Sequence, residues 1–380
     1  MKIHTHTLRG HAPGTRRTVT SLHFGTPGSG RKAYLQASLH ADEIPPMLVA
    51  QHLRAALAGL EQAGKLHGEV VLVPSANPLG LDQCLLESPV GRFDLASGEN
   101  FNRRYADLHA LVLPLLGDLR GTPQQNVATA RALLRNACAT LPDLTELQSL
   151  RKTLLGLAID ADTVLDLHSD NEATLHLYTT PALWPQVEPL ARELRSPLVL
   201  LADDSGEAPF DEACSMVWQR LASHLSALRP RAQTSDAFAH ACVAATVELR
   251  GERDVHHATA AADARAVLRY LAQRGHLQLQ EDRPTTAPEP TLVHPLAGSM
   301  PVAAPVAGVL VYLRDLGTQL VEGEPFAEII DPVSGHTTTI RSPVDGFFFA
   351  RDARRFVRSG ARIAKISGAY AVRRGNLMSA

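Results

Sequence analysis

The stretch Tyr34-Leu-Gln-Ala-Ser-Leu39, followed at once by His40-Ala-Asp-Glu43, decides the fold of this chain. The apolar run predicts a buried strand, and a helical pattern begins a few residues later, near Pro45. A second apolar run, Val164-Leu-Asp-Leu-His168-Ser-Asp170, also leads into a histidine. Open α/β sheets bind ligands beyond the carboxyl ends of their strands. Polar side chains at the exits of two buried strands are therefore typical of an open α/β sheet.

The rest of this part of the chain alternates apolar strand-like runs with amphipathic helical patterns. This alternation predicts an α/β fold with a mostly parallel mixed sheet covered by helices. The first two strands are expected to form a hairpin through Gly25-Thr-Pro-Gly-Ser-Gly30. The predicted strands are residues 18–24, 32–39, 69–74, 163–167, 175–179, 197–202 and 246–250; the predicted helices are residues 46–60, 124–157 with a break at Pro142, 181–195, 211–228 and 256–275.

A change of composition divides the chain. Residues 281–290 are rich in Pro and Thr, so we predict a domain at 1–285, a linker at 286–296 and a second domain at 297–380. Ala304–Gly308 and Ser342–Gly346 resemble each other, which is typical of a β-sandwich similar to biotinyl/lipoyl domains. The only lysine of this second domain, Lys365, lies inside an apolar segment. We therefore interpret the domain as a structural or lid module and not as a carrier arm.

Composition excludes several classes of function. The chain has 380 residues, 45% of them hydrophobic and 20% charged, with a net charge of −2, so no nucleic-acid partner is expected. No apolar run reaches the roughly 18 residues of a membrane span, and no signal peptide is apparent. The four cysteines form no CxxC pair, which favours a cytoplasmic protein with reduced thiols. A homo-oligomer stays possible.

The two strand exits carry the donors of a metal site. His40 and Glu43 are three positions apart and can point at one ion, and His168 can supply a third ligand. Two His and one Glu leave a tetrahedral zinc with one open position for water, which is typical of a catalytic zinc, so we predict one Zn²⁺ per chain. Glu248 lies on a further predicted strand and is the candidate general base. The alternative for Glu248 is a surface carboxylate paired with an arginine.

These residues, together with Gly91-Arg92-Phe-Asp94 and Asn100-Phe-Asn-Arg103, resemble the succinylglutamate desuccinylase/aspartoacylase family, a branch of the zinc carboxypeptidase superfamily. The resemblance covers roughly residues 1–285. Many members have Asp where this chain has Asn100, but an amide oxygen can still accept a hydrogen bond from an imidazole N–H. The resemblance implies zinc ligands at His40, Glu43 and His168, a general acid/base at Glu248, a substrate carboxylate held by Asn102 and Arg103, and a scissile carbonyl polarised by Arg92.

The expected function is hydrolysis of a small molecule. We predict a zinc-dependent amidohydrolase that cleaves a linear amide bond of an N-acyl amino acid or related N-acyl amine by metal-activated water. One alternative is a zinc carboxypeptidase acting on small or cell-wall peptides. Another is a non-catalytic relic that keeps a metal site.

Overall fold

A nine-stranded mixed sheet forms the centre of the molecule. The computed structural model describes residues 1–117, 121–228, 238–279 and 291–378. Its first twelve strands are β1 (Lys2–Thr7), β2 (Thr18–Gly25), β3 (Arg31–Ala37), β4 (Gly68–Val73), β5 (Cys84–Leu85), β6 (Ser88–Pro89), β7 (Thr163–Asp170), β8 (Glu172–Ala173), β9 (His176–Thr179), β10 (Leu198–Leu201), β11 (Val243–Gly251) and β12 (Leu292–Pro295). The large sheet has the order β1-β2-β4-β3-β7-β11-β9-β10-β12, and its central strands β4, β3, β7 and β11 are mutually parallel.

Helices cover both faces of this sheet. They are α1 (Pro45–Gln62), α2 (Pro78–Leu81), α3 (His109–Val112), α4 (Pro123–Ala139), α5 (Glu146–Ala158), α6 (Trp184–Leu194), α7 (Phe210–Leu228) and α8 (His257–Gln273), with short 3₁₀ turns at Leu113–Leu115 and Leu296–Gly298. Side chains of α1, α6 and α8 form one apolar core with the sheet, and those of α4, α5 and α7 form a second core on the opposite face. The α/β fold is confirmed, as is the helix break at Pro142, which lies between α4 and α5.

The predicted hairpin is wrong. Strand β4 lies between β2 and β3, antiparallel to β2 and parallel to β3. All six residues of β4 are buried, so this strand needs a neighbour on each side as well as cover on both faces. The loop at residues 26–30 therefore joins two strands that both pair with β4 and not with each other.

The C-terminal part consists of antiparallel strands, as expected. They are β13 (Ser299–Ala303), β14 (Gly308–Tyr312), β15 (Gln319–Leu320), β16 (Pro325–Ile330), β17 (Thr337–Arg341), β18 (Gly346–Arg351), β19 (Phe356–Val357) and β20 (Arg362–Ser367). One sheet has the order β13-β20-β18-β15 and the other β17-β16-β14-β19. Phe326, Phe348 and Ile363 belong to the core that these strands enclose. We call residues 297–378 the β module.

The β module is tied to the large sheet by several contacts. Strand β8, which follows β7, pairs with β18 of the module, and Ala173 lies opposite Ala350. The predicted linker at 286–296 falls partly outside the described residues, but its residues 292–295 form β12, an edge strand paired with β10. The division into domains stays a prediction. Residues 292–295 of the predicted linker belong to the large sheet. Among the described residues, no helix combines the length and the apolar character needed to span a membrane.

Candidate metal centre

His40, Glu43 and His168 come together at the carboxyl edge of the sheet. Strands β3 and β7 are parallel neighbours in register, with Ala37 opposite Leu167, so the residues that follow them share one edge. Ser38 has a left-handed backbone (φ 59°) and donates its N–H to the carbonyl of Leu167 at 3.1 Å, which turns the chain across the end of β7. A turn from His40 to Glu43 then aims both side chains to the same side.

The three side chains face one another in a buried pocket. Nδ1 of His40 lies 2.8 Å from Oε1 of Glu43, and Nδ1 of His168 lies 2.8 Å from Oε2. Each residue is at most 3% exposed, and one donor atom from each lies within 4.8 Å of the others. Burial opposes ionisation of Glu43, but His168 and His40 outweigh it and hold the pKa of this carboxyl well below its usual value. The predicted ligand set is thus assembled around an ionised carboxylate.

The hydrogen bonds of His40 show that this donor set suits a cation. Oδ1 of Asn100 accepts from the backbone N–H of Asn102 at 2.9 Å, which fixes the orientation of the amide. The same oxygen lies 2.8 Å from Nε2 of His40, so Nε2 must carry the ring proton and donate it. In the neutral ring, Nδ1 then turns a lone pair towards a carboxylate oxygen. Two acceptors at 2.8 Å need a positive charge between them, and a metal ion meets that need.

A line of buried polar groups supports His168 from behind. Its Nε2 lies 3.0 Å from Oδ2 of Asp166, which is an ion-pair distance with poor hydrogen-bond alignment. Nε2 of Gln36 donates to Oδ1 of Asp166 at 2.9 Å, and the Tyr34 hydroxyl donates to Oε1 of Gln36 at 2.8 Å. We did not predict this support from the sequence. A signal existed, because Asp166 is two positions before His168 on one strand and so lies on the same face.

Glu248 lies beside the ligands on the neighbouring strand. Its Cα pairs with that of His168 in the β11–β7 ladder. Burial, and next the negative charge of Glu43, raise the pKa of Glu248 to about 8. Its Oε2 is buried and makes no hydrogen bond among the described residues. A carboxyl group with one unengaged oxygen next to the donor set suits proton transfer.

Arg92 reaches the centre from the loop after β6. Gly91 packs so closely against the turn that a Cβ there would lie 2.4 Å from the backbone nitrogen of Asp42. The Gly91 carbonyl accepts from the N–H of Ala41 at 3.0 Å, which fixes the loop. One Nη of Arg92 then donates to Oε1 of Glu43 at 3.2 Å. Arg92, which the resemblance implies as the residue that polarises the carbonyl, thus lies next to a proposed ligand.

Asn102 and Arg103 also line the centre. Oδ1 of Asn102 accepts from the backbone N–H of Phe210 at 2.8 Å, and its Nδ2 lies 3.3 Å from Nε2 of His168. Its oxygen therefore anchors the start of α7, and only the NH₂ group is left to face a substrate. Arg103 donates to the carbonyl of Asn102 at 2.7 Å and is buried. Their role in substrate binding stays a prediction.

A cavity adjoins the centre, and all the predicted site residues except Glu43 line it. Its far wall is polar and includes two acids that our sequence analysis missed. Burial, and next the charge of Asp211, raise the pKa of Glu212 to about 8. This wall consists of Thr179, Thr180, Asp211, Glu212, Ser215 and Thr246.

Comparison with known proteins places this chain in a class of hydrolases. Residues 29–274 match the model of the succinylglutamate desuccinylase/aspartoacylase catalytic domain. The match covers more than half of the chain, and the chain therefore belongs to the succinylglutamate desuccinylase/aspartoacylase family. No curated protein matches by sequence.

Solved structures agree with this assignment. A family protein from Shewanella amazonensis SB2B is 27% identical with a TM-score of 0.82, and the alignment covers 97% of this chain and 98% of that one. A second from Shewanella frigidimarina NCIMB 400 is 25% identical with a TM-score of 0.82, covering 96% of each. The ectoine utilization protein EutE (DoeB) from Ruegeria pomeroyi, at 14% identity and a TM-score of 0.66 over 96% of this chain and 94% of that one, shares the fold.

Proposed function

We propose that this protein is a zinc-dependent hydrolase that cleaves the linear amide bond of a small N-acyl amino acid or related N-acyl amine. The observation that carries the proposal is the convergence of His40, Glu43 and His168 beside Glu248 in one cavity. Zinc held by these three residues would supply a Lewis acid and a water with a pKa near 7. The buried free thiols of Cys138, Cys214 and Cys242 support a cytoplasmic location as part of the proposal.

Glu248 would move the proton in this reaction. Its unengaged Oε2 accepts a proton from the attacking water, whose oxygen adds to the amide carbon. When the C–N bond breaks, the same oxygen returns the proton to the leaving nitrogen, so the products are a carboxylic acid and a free amine. The surroundings that raise the pKa of Glu248 make its carboxylate a stronger base in the first half of the transfer.

Two arginines would bind the negative charges of the substrate. Arg92 is half-buried beside Glu43, so it can donate to the carbonyl oxygen as negative charge develops there. Arg103 is buried in the same cavity and can hold a substrate carboxylate with two parallel hydrogen bonds.

Two measurements test the proposal. A panel of N-acyl amino acids and dipeptides is assayed for amine release with zinc present, and elemental analysis gives the zinc content. Wild type should bind one zinc and hydrolyse N-acyl amino acids, whereas His168→Ala should lose both properties. His276→Ala is the matched control, because His276 is a buried histidine that hydrogen-bonds Thr163 at the opposite end of β7.

The outcomes separate the alternatives. Stoichiometric zinc in His168→Ala would refute the ligand assignment. Preferential cleavage of dipeptides would indicate the carboxypeptidase alternative. Bound zinc without turnover of any substrate in the panel would indicate the non-catalytic relic.

A further inference from the structure

Two buried carboxylates at the start of α7 line the cavity beside the metal centre. Asp211 and Glu212 are only 6% and 7% exposed, and the proton transfer proposed for Glu248 uses neither of them. Burial of a carboxylate without a cation is unfavourable. The dipole of α7 offsets a part of this cost, because both acids lie in the first turn of the helix.

The groups that hydrogen-bond Glu212 carry no charge. Its Oε1 accepts the backbone N–H of Ser205 at 2.9 Å. Its Oε2 is buried and makes no hydrogen bond among the described residues. Oγ of Ser205 lies close to this carboxylate, is buried in the same cavity wall and is likewise without a well-formed hydrogen bond in the described ranges. A ligand with several N–H donors would satisfy both of these atoms.

The charged forms of the two acids are disfavoured in this wall. Burial, and next the charge of Asp166, raise the pKa of Asp211 to about 6. Burial, and next the charge of Asp211, raise the pKa of Glu212 to about 8. Arg103 is close enough for both acids to raise its pKa, but burial has the larger influence on this guanidinium and lowers its pKa. A further cation in the cavity would stabilise the two carboxylates.

The two acids lie within a side-chain length of the proposed reaction centre. The hydroxyl of Thr246 stabilises the charge of Asp211, and Thr246 precedes Glu248 by two residues on β11. Alternate residues of a strand share one face and lie about 7 Å apart. The flexible stem of a basic amino-acid side chain can span such a distance.

We propose that Asp211, Glu212 and Ser205 form a cation subsite that binds a side-chain ammonium group of the substrate. The preferred substrates are then N-acylated basic amino acids, whose α-carboxylate pairs with Arg103. An ammonium group suits this wall because it has three donors, one for each carboxylate and one for the hydroxyl. The inference rests on the proposed function for the N-acyl group, but this wall alone defines the subsite.

Three ligands of equal reach test the subsite. N-acetylornithine, N-acetylnorleucine and N-acetylglutamine differ at the end of the side chain, which carries an ammonium, a methyl or a neutral amide group. For the zinc-loaded wild type we expect KM to be about tenfold or more lower for N-acetylornithine than for either neutral compound, the scale of one hydrogen-bonded charge. Glu212→Gln should remove most of this preference, because its amide oxygen can still accept the Ser205 N–H but the charge is lost. Asp211→Asn should also reduce the preference.

Glu207→Gln is the matched control. Glu207 is exposed and its charge also raises the pKa of Arg103, but it does not line the cavity. Its replacement should leave the preference unchanged, which separates contact with the ligand from a general change of charge. Equal KM values for N-acetylornithine and N-acetylglutamine in wild type, or an unchanged preference in Glu212→Gln, would overturn the subsite.

A binding measurement separates this proposal from the proposed function. Calorimetric titration of the zinc-loaded protein with ornithine, norleucine and glutamine requires no turnover. If no N-acyl compound is cleaved but ornithine binds more tightly than the two neutral amino acids and Glu212→Gln removes the difference, the subsite stands and the hydrolase proposal fails. If the three N-acetyl compounds are cleaved with equal KM values and the three amino acids bind alike, the hydrolase stands and the subsite is refuted.

Discussion

Replacing Asn100 with Ala should weaken metal binding without removing any ligand. Oδ1 of Asn100 accepts two buried hydrogen bonds, from Nε2 of His40 at 2.8 Å and from the N–H of Asn102 at 2.9 Å. Loss of the first frees the His40 ring to rotate and lowers its basicity. Groups that support a ligand in this way typically contribute about 10–100-fold to metal affinity, which corresponds to about 1.4–2.8 kcal/mol.

The same replacement should also change the stability of the metal-free protein. It leaves the N–H of Asn102 buried without a partner, which costs about 1–3 kcal/mol. Nδ2 of Asn100 is itself buried without a hydrogen-bond partner among the described residues, and truncation removes that unfavourable group. The two effects oppose each other, so we expect a net loss near the lower end, about 1 kcal/mol.

Competition with a chelator measures the zinc affinity, and urea unfolding of the metal-free protein measures the stability. Asn100→Asp is the matched control, because a carboxylate keeps both acceptor functions and removes the unpaired NH₂. It should bind zinc at least as tightly as wild type, since its added negative charge faces His40 and the ion. Its metal-free form should be less stable, because that charge is then buried without compensation. Wild-type zinc affinity in Asn100→Ala would refute the view that Asn100 orients His40.

Three further outcomes follow from the site. Glu248→Gln should keep zinc by elemental analysis but lose about 10²–10⁴-fold in turnover. Near-normal turnover would transfer the role of base to Glu252. The pKa of Glu252 is raised to about 7 by burial and by neighbouring carboxylates. Arg103→Ala should raise KM for carboxylate substrates far more than for their amide analogues, and an equal effect on both would make Arg103 structural. Because the pKa of Glu212 is about 8 in the folded protein and 4.5 ordinarily, the unfolded chain binds fewer protons between these values, and the contribution of this group to stability falls as pH rises from about 5 to about 8. Urea unfolding of metal-free Glu212→Gln should show a smaller fall over this window, and an unchanged slope would contradict the assignment.

The sequence was sufficient to predict that the three proposed metal ligands lie together, because their position depends on a local rule. His40 and His168 each follow a run of buried residues, and parallel strands bring such exits to one edge. The order of the strands in the sheet does not follow from this rule, because it depends on which strand needs a neighbour on each side. Nothing near Gly25 signals that β4, more than 40 residues later, will insert between β2 and β3.

The supporting groups of the site were harder to predict. Arg92 reaches Glu43 because Gly91 packs against the turn at Ala41 and Asp42, a contact between two loops that have no pattern in common. The NH₂ group of Asn102 faces His168 because its oxygen is occupied by α7, a helix more than 100 residues away in sequence. Long-range contacts of this kind depend on loop paths, which periodicity does not encode.

The β module is better understood as a wall of the active site than as a carrier or a detachable lid. Lys365, the only lysine from residue 297 onward, is engaged by Asp170, two residues after a proposed metal ligand, so it is not presented at a hairpin tip for modification. Glu172 follows on β8 and pairs with Arg351 and Arg355 of the module. The edge strand β12 precedes the module directly and completes the large sheet. These contacts join the module to the sheet edge and to the end of β7. Movement of the module as a unit would therefore break ion pairs beside the proposed metal centre.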